Sequence, residues 1–195
     1  MANAPPSNSK GQRRREALTL AAAQLFWQRG YGATSIADVA SVADVPLGNV
    51  YYYFKTKAEM ADAVAQLFVQ QTEALIEEVE AEAGTPRQAL RLAIQRLKST
   101  QDDRVTYGCP IAAASHEFLQ SAPDASKKAA QSFSLLAEFL ARNLTAAGHR
   151  PSVSLARARA LLCEWQGGIA LAHSLGDKQI LSEAMARMER MAMQG

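Results

Sequence analysis

The chain is poor in cysteine, lacks any long apolar run and lacks the spacings that hold metals or phosphates, and each shortage closes a class of explanation. Its two cysteines, Cys109 and Cys163, stand far apart and match no metal-ligand spacing, so no metal is expected and a reduced, cytoplasmic compartment is. No stretch approaches the roughly 18 consecutive apolar residues of a membrane span. The start, MANAPPSNSKGQRRR, carries a basic cluster without the apolar segment of a secretory signal behind it. There is no His-x-x-x-His, no glycine-rich phosphate loop and no Gly-x-Ser-x-Gly. His116 and Glu117 are adjacent, and neighbours on a helix point away from each other and share no site. An enzyme is therefore not expected, nor a cofactor. No run alternates like a strand, and no internal repeat appears.

What remains is a helical chain. With 48% apolar and 21% charged residues it has the composition of a soluble globular protein. The pattern predicts an all-α fold of about nine helices: a head of three short helices at residues 10–57 behind an unstructured arm at 1–9, and a helical body at 58–195. The charge divides along the same line. Residues 1–57 carry seven Lys or Arg against three acids, a net of +4, and the rest carries fourteen against sixteen, a net of −2. A basic head on a slightly acidic body suits a nucleic-acid binder with a separate regulatory part, and it also suits an ordinary solvated surface.

Thr34 to Lys57, TSIADVASVADVPLGNVYYYFKTK, organises the head. Ile36, Val39, Ala40 and Ala43 recur at i, i+3, i+4, i+7, one face of a helix, with Thr34 or Ser35 as its N-cap and Asp38 in its first turn. Asp44 stands where the chain turns, and Asp tolerates left-handed backbone. Pro46 suits the start of the next helix, whose Leu47, Val50 and Phe54 share one face. Gly48, Asn49, Tyr52 and Tyr53, with Tyr51 between, make up the rest. An amide, phenols and a glycine permitting close approach suit a DNA major groove, where Asn pairs with adenine and hydroxyls reach phosphates.

Phe26-Trp27-Gln28-Arg29-Gly30-Tyr31, Thr34-Ser35-Ile36-Ala37-Asp38-Val39-Ala40, Val45, Gly48, Val50-Tyr51-Tyr52-Tyr53-Phe54 and Lys57 together resemble the helix-turn-helix domain of TetR-type transcriptional repressors. Asp44 departs from the glycine usual in that turn, and Pro46-Leu47 from a common polar pair. The resemblance implies a DNA-binding face of Arg13, Arg14, Thr34, Ser35, Gly48, Asn49, Tyr51, Tyr52, Tyr53, Lys55 and Lys57. It implies a homodimer on a palindromic operator of double-stranded DNA, released by a small-molecule effector of unknown identity. Arg13 to Arg15, placed in the first turn of a helix from Arg13 to Arg29, oppose the helix dipole unless phosphates lie nearby. A solubility role is the alternative.

In the body, Gly84, Gly148 and Gly176 mark helix ends, and Pro86, Pro110, Pro123 and Pro151 mark starts. Thr100 to Thr106 reads as a polar link. Tyr107, Cys109, His116, Phe133 and Trp165 are candidates for an effector pocket, because polar-tipped rings orient ligands among apolar helices; each could equally be ordinary core. Cys109 sits at a helix N-terminus, where a thiolate is stabilised. Some TetR-type repressors similar in this Gly-Cys segment answer electrophiles or oxidants through the cysteine, so a thiol sensor is one alternative and a buried small residue the other. Gly167-Gly168 inside an apolar helix signals close approach of another helix, a second subunit or a ligand. The resemblance favours the subunit, with Leu162, Gly167, Gly168, Ile169, Met185 and Met188 at a dimer interface. A non-enzymatic interaction scaffold, its basic head holding an acidic protein, is the alternative of another class.

Overall fold

The computed structural model describes residues 10–194, and the N-terminal arm at 1–9 lies outside them. Among the described residues the chain forms ten α-helices and no strand, the all-α architecture expected. The head is α1 (Lys10–Arg29), α2 (Ile36–Val42) and α3 (Leu47–Tyr53). Helix α1 is already formed at Lys10, so Arg13 to Arg15 lie past its first turn and oppose the dipole less than a start at Arg13 implies.

The α2 turn is over-determined by its sequence. Ser35 is the N-cap; its Oγ accepts from the Asp38 N–H at 3.1 Å and the Asp38 carboxylate accepts from the Ser35 N–H at 2.7 Å, a reciprocal capping box. At the other end Val45 N–H donates to the Ala40 carbonyl at 3.0 Å and Asp44 N–H to the Ser41 carbonyl at 3.3 Å. That pair of bonds is a Schellman motif, and it requires left-handed backbone at Asp44, whose φ is 51°. Asp thus does the work that glycine usually does there. Pro46 takes the N-cap position of α3, one place before the helix proper.

The head's core is Leu18, Ala22, Leu25, Phe26, Val39, Val50 and Phe54, all buried, and α4 (Lys57–Glu82) closes it with Met60, Ala61 and Val64. The body continues through α5 (Pro86–Lys98), α6 (Gln101–Tyr107), α7 (Pro110–Glu117), α8 (Pro123–Ala146), α9 (Pro151–Leu175) and α10 (Lys178–Met193). Helix α4 lies mainly on α8, α8 on α9 and α9 on α10, with α5 and α6 covering the flank and α7 bridging α8 to α1.

Helix α6 occupies the stretch that reads as a polar link. It has little apolar periodicity to announce it. Asp102 and Asp103 in its first turn favour the helix dipole, Thr100 Oγ1 bonds the Leu97 carbonyl at 3.0 Å, and α9 and α10 supply the surface it lies on. It ends at Gly108, whose φ of 76° and ψ of −163° are essentially reserved to glycine.

Candidate nucleic-acid interface

Helix α3 is anchored by Val50, which is fully buried, with Tyr53 packed partly against the core, and turns the rest of its surface outward. Leu47, Gly48, Asn49, Tyr51 and Tyr52 are exposed, Tyr52 at 79%. Tyr53 is half-buried and meets the Tyr52 ring edge-on, centroids 5.1 Å apart. A Cβ at Gly48 would touch nothing within 4 Å, so no intramolecular contact demands glycine there. Arg14 of α1 shares a shallow cleft with Gly48, Asn49, Tyr52 and Tyr53. Arg13 and Arg15 are exposed as well, the Arg15 guanidinium carbon lying 4.9 Å from the Phe54 ring centre. The Lys55 ammonium folds back onto the Tyr51 carbonyl at 2.7 Å, still at the exposed edge of the helix.

Three residues at the base of the head are more constrained. Lys57 Nζ lies 4.2 Å over the Tyr31 ring and 3.5 Å from the Gly32 carbonyl. Burial pushes its ammonium pKa down, against the opposing pull of Glu117 and Asp38. Burial also raises the Tyr31 phenol. Ser35 is exposed but spent on its cap, and the bond from its hydroxyl is the main reason the Asp38 carboxyl is held below its ordinary value. Thr34 departs from the expected set. It is 2% exposed, and its hydroxyl donates to the Gly30 carbonyl at 2.8 Å, fixing the α1–α2 turn instead of facing solvent.

The head is tied to the body at specific points. The Glu117 carboxylate at the end of α7 accepts the Tyr31 N–H, and Phe118 is edge-on to both Phe26 and Tyr31, centroids 5.9 and 5.0 Å apart. Trp27 Nε1–H donates to the Gly108 carbonyl at 3.0 Å while its ring meets Tyr107 at 5.6 Å. So α6 and α7 grip α1 and the α1–α2 turn directly.

The five pocket candidates do not converge on one cavity. Tyr107 is committed to Trp27, His116 is exposed at the end of α7, and Phe133 lines an outer groove of α8 and α9 with Leu155, Leu162 and Cys163. Cys109 is the N-cap of α7 as its position suggested, but it is 6% exposed, and the exposed thiol is Cys163. Trp165 is fully enclosed, its ring under the Arg104 guanidinium at 4.9 Å. Its Nε1 has no partner, and neither do Gln101 Nε2, Arg104 Nη1, Gln166 Nε2 or Ser132 Oγ. A buried donor left unmade costs about 1–3 kcal/mol. Reading by residue type found the tryptophan and missed Gln101, Arg104 and Gln166; a glutamine between Trp165 and Ile169 on an apolar helix was the available signal.

The interface candidates also need correction. Gly168, Ile169, Met185 and Met188 are buried within one chain, where α9 crosses α10. A Cβ at Gly168 would lie 2.5 Å from the Ala184 Cβ, so the close approach is intramolecular. Leu162 is buried too, at the rim of the α8–α9 groove. Gly167 points outward with nothing within 4 Å. It belongs to an exposed, small-residue face of α9 with Ala156, Ala160, Cys163 and Ala170, flanked by Leu155 and Leu171.

Comparison with known proteins covers both parts of the chain. The family profile described as bacterial regulatory proteins, tetR family, matches residues 18–64. The profile described as transcriptional regulator LmrA/YxaF-like, C-terminal domain, matches residues 86–187. An uncharacterized HTH-type transcriptional regulator in the lacX 3′ region of Lactococcus lactis subsp. lactis is 28% identical over 170 residues, 86% of this chain and 87% of that one. The HTH-type transcriptional repressor KstR2 of Mycolicibacterium smegmatis is 36% identical over 66 residues, 34% of this chain and 32% of the repressor. Among solved structures, a TetR transcriptional regulator from Chloroflexus aurantiacus superposes with a TM-score of 0.81 at 22% identity, over 95% of this chain and 96% of that one. One from Agrobacterium tumefaciens gives 0.80 at 21% identity, over 93% and 98%. At these identities the structural likeness speaks for the fold.

Proposed function

The chain belongs to the TetR family of bacterial regulatory proteins, a family of DNA-binding transcription regulators and not of enzymes, and from that premise we propose that it is a homodimeric repressor of a palindromic operator, released by a small molecule. The observation that carries the DNA site is the outward face of α3. It offers an amide, two exposed phenols and a glycine, with Arg14 beside them and no acid within the helix. Asn49, Tyr51 and Tyr52 are the groove-facing set. Arg13, Arg14, Lys55 and Lys57 supply the phosphate contacts, Lys57 by leaving the Tyr31 ring.

A seven-residue recognition helix spans few base pairs, so two copies related by a two-fold axis are needed for a selective reading. The outward face of α9 supports the pairing. Its small side chains at Ala156, Ala160, Cys163, Gly167 and Ala170 permit close helix approach, which leaves Gly168 to its intramolecular contact with α10. Among the described residues no helix is long and apolar enough to cross a membrane.

Selection of bound duplexes from a random DNA pool tests the reading. A palindrome is expected, with the logarithm of affinity falling against the logarithm of salt concentration at a slope of roughly −0.9 per neutralised phosphate of B-form DNA. Binding that persists equally on all duplexes would refute sequence-selective repression.

A further inference from the structure

Where α6 meets α9, hydrogen-bond donors outnumber acceptors. Gln101 Nε2, Arg104 Nη1, Trp165 Nε1 and Gln166 Nε2 are buried there without partners. The chain brings them together in steps. Gln101 and Arg104 are one turn apart on α6. Gln166, Ile169 and His173 share one face of α9 by i, i+3, i+7 spacing, and the His173 Nδ1 sits 2.9 Å from the Val105 carbonyl, so that face looks at α6. The Arg104 guanidinium carbon lies 4.9 Å from the Trp165 ring centre.

Existing bonds orient these groups without using their free hydrogens. Ser182 Oγ donates to Gln101 Oε1 at 3.2 Å, and Arg104 Nε donates to Thr100 Oγ1 at 2.8 Å. Of the acids on the same helices, Asp102 pairs with Lys178 at 2.5 Å and Glu164 with Arg187 at 2.7 Å, and Asp103 is exposed to solvent in the first turn of α6. Every orphan of the seam is a nitrogen donor, and one belongs to a permanently charged group; the remaining orphan, Ser132 Oγ, lies on α8. What satisfies such a set accepts only and carries negative charge.

We propose that the α6–α9 seam is the effector site and that it takes a small organic acid, its carboxylate held by Arg104, Gln101, Gln166 and the Trp165 indole. The inference rests on the ligand-released reading above and gives that ligand a chemical class. Arg is suited to the role because its fork matches a carboxylate. The apolar part of the acid lies against Trp165 and Ile169, both buried. Admission requires α6 to swing away from α9 about Gly108, whose backbone already occupies a glycine-only region. That same residue's carbonyl holds Trp27 of α1, and Tyr107 holds its ring. Filling the seam therefore pulls on the first helix of the head.

The test uses the full chain carrying Trp27→Phe, so that Trp165 is the sole indole, without DNA. Its emission is titrated with decanoate, benzoate and 1-naphthoate, and with the alcohol matching each acid. At least one acid is expected to give a saturable change that its alcohol does not. Arg104→Met should weaken it tenfold or more, and the exposed Arg91→Met should not. Acids and alcohols titrating alike, no acid saturating, or Arg104→Met binding as tightly as the parent would overturn the proposal. Gln166→Leu adds a reading independent of the ligand: removing an unpaired amide is expected to hold or raise Tm, and a fall would give the amide a structural partner and sink the site. The binding acid is then added to the wild-type complex with its selected duplex, where it should release the DNA, and not from Arg104→Met. Failure to bind any duplex at that stage counts against the repressor reading, and the DNA-free titration stands apart from it.

Discussion

Adjacent glycines in α9 make opposite predictions under the same substitution. At Gly168 a methyl group would sit 2.5 Å from the Ala184 Cβ, which is itself fully buried. Carbon atoms rest at about 3.5–4.0 Å, so α9 and α10 must part by about 1 Å along the contact. Overpacking of this kind costs roughly 1–3 kcal/mol, against a gain of about 1 kcal/mol from replacing glycine in a helix. Gly168→Ala is therefore expected to lose up to about 2 kcal/mol. At Gly167 nothing lies within 4 Å, so Gly167→Ala keeps the propensity gain of about 1 kcal/mol. For a chain of this size each kcal/mol moves Tm by about 2–4 °C. Thermal unfolding at matched low concentration should separate the pair in sign, Gly167→Ala up and Gly168→Ala down. Ala184→Gly removes the opposing methyl, and the double variant should recover about 1–3 kcal/mol relative to the sum of the singles. If Gly168→Ala stabilises the chain as Gly167→Ala does, or if the pair is additive, the close α9–α10 contact is wrong. At high concentration Gly167→Leu reports on the proposed dimer face, where a bulky residue should lower the association constant seen by sedimentation.

The other predictions are shorter. Glu117→Ala strips the acceptor from the Tyr31 N–H and leaves it unpaired, so Tm should fall by the equivalent of about 1–3 kcal/mol, read by calorimetry. Lys57→Ala should reduce the salt slope of operator binding by about 0.9, with the operator preference unchanged. The Asp38 carboxyl is held below its ordinary value chiefly by the Ser35 side chain and then by its backbone N–H. Its contribution is present above the unfolded value near about 3.9 and lost as pH falls through the lower folded one, so Asp38→Asn should flatten acid unfolding in that window. Alkylation mapped by mass spectrometry should mark exposed Cys163 and spare buried Cys109 in the native chain, and, on the proposed pairing through α9, Cys163 labelling should slow as concentration rises.

Boundaries were legible where a residue has one physical reason to stand. Pro86, Pro110, Pro123 and Pro151 open helices and Gly176 closes α9 in the left-handed region, each at its expected position. The Ser35–Asp38 box and the turn at Asp44 were legible for the same reason. Helix α6 was not, because its stability comes from first-turn acids and from the surface of α9 and α10, and neither leaves an apolar period. Nor was the facing of residues on α9. Gly167 and Gly168 differ by one step of rotation, and only the position of α10 decides which one is covered. Thr34 is withdrawn by the carbonyl of Gly30, four residues upstream, which residue type alone does not reveal.

The grip of α7 on the α1–α2 turn bears on transplantation. Phe118 completes an aromatic cluster whose other members, Phe26 and Tyr31, belong to the head, and Glu117 caps the same turn. A chimera that joins residues 10–57 to the body of another regulator would expose those two rings and unpair the turn, whatever operator its α3 reads. A working graft has to carry Glu117 and Phe118, or their equivalents, at the receiving surface. The modular unit is then discontinuous in sequence: the head together with one turn of a helix sixty residues further on.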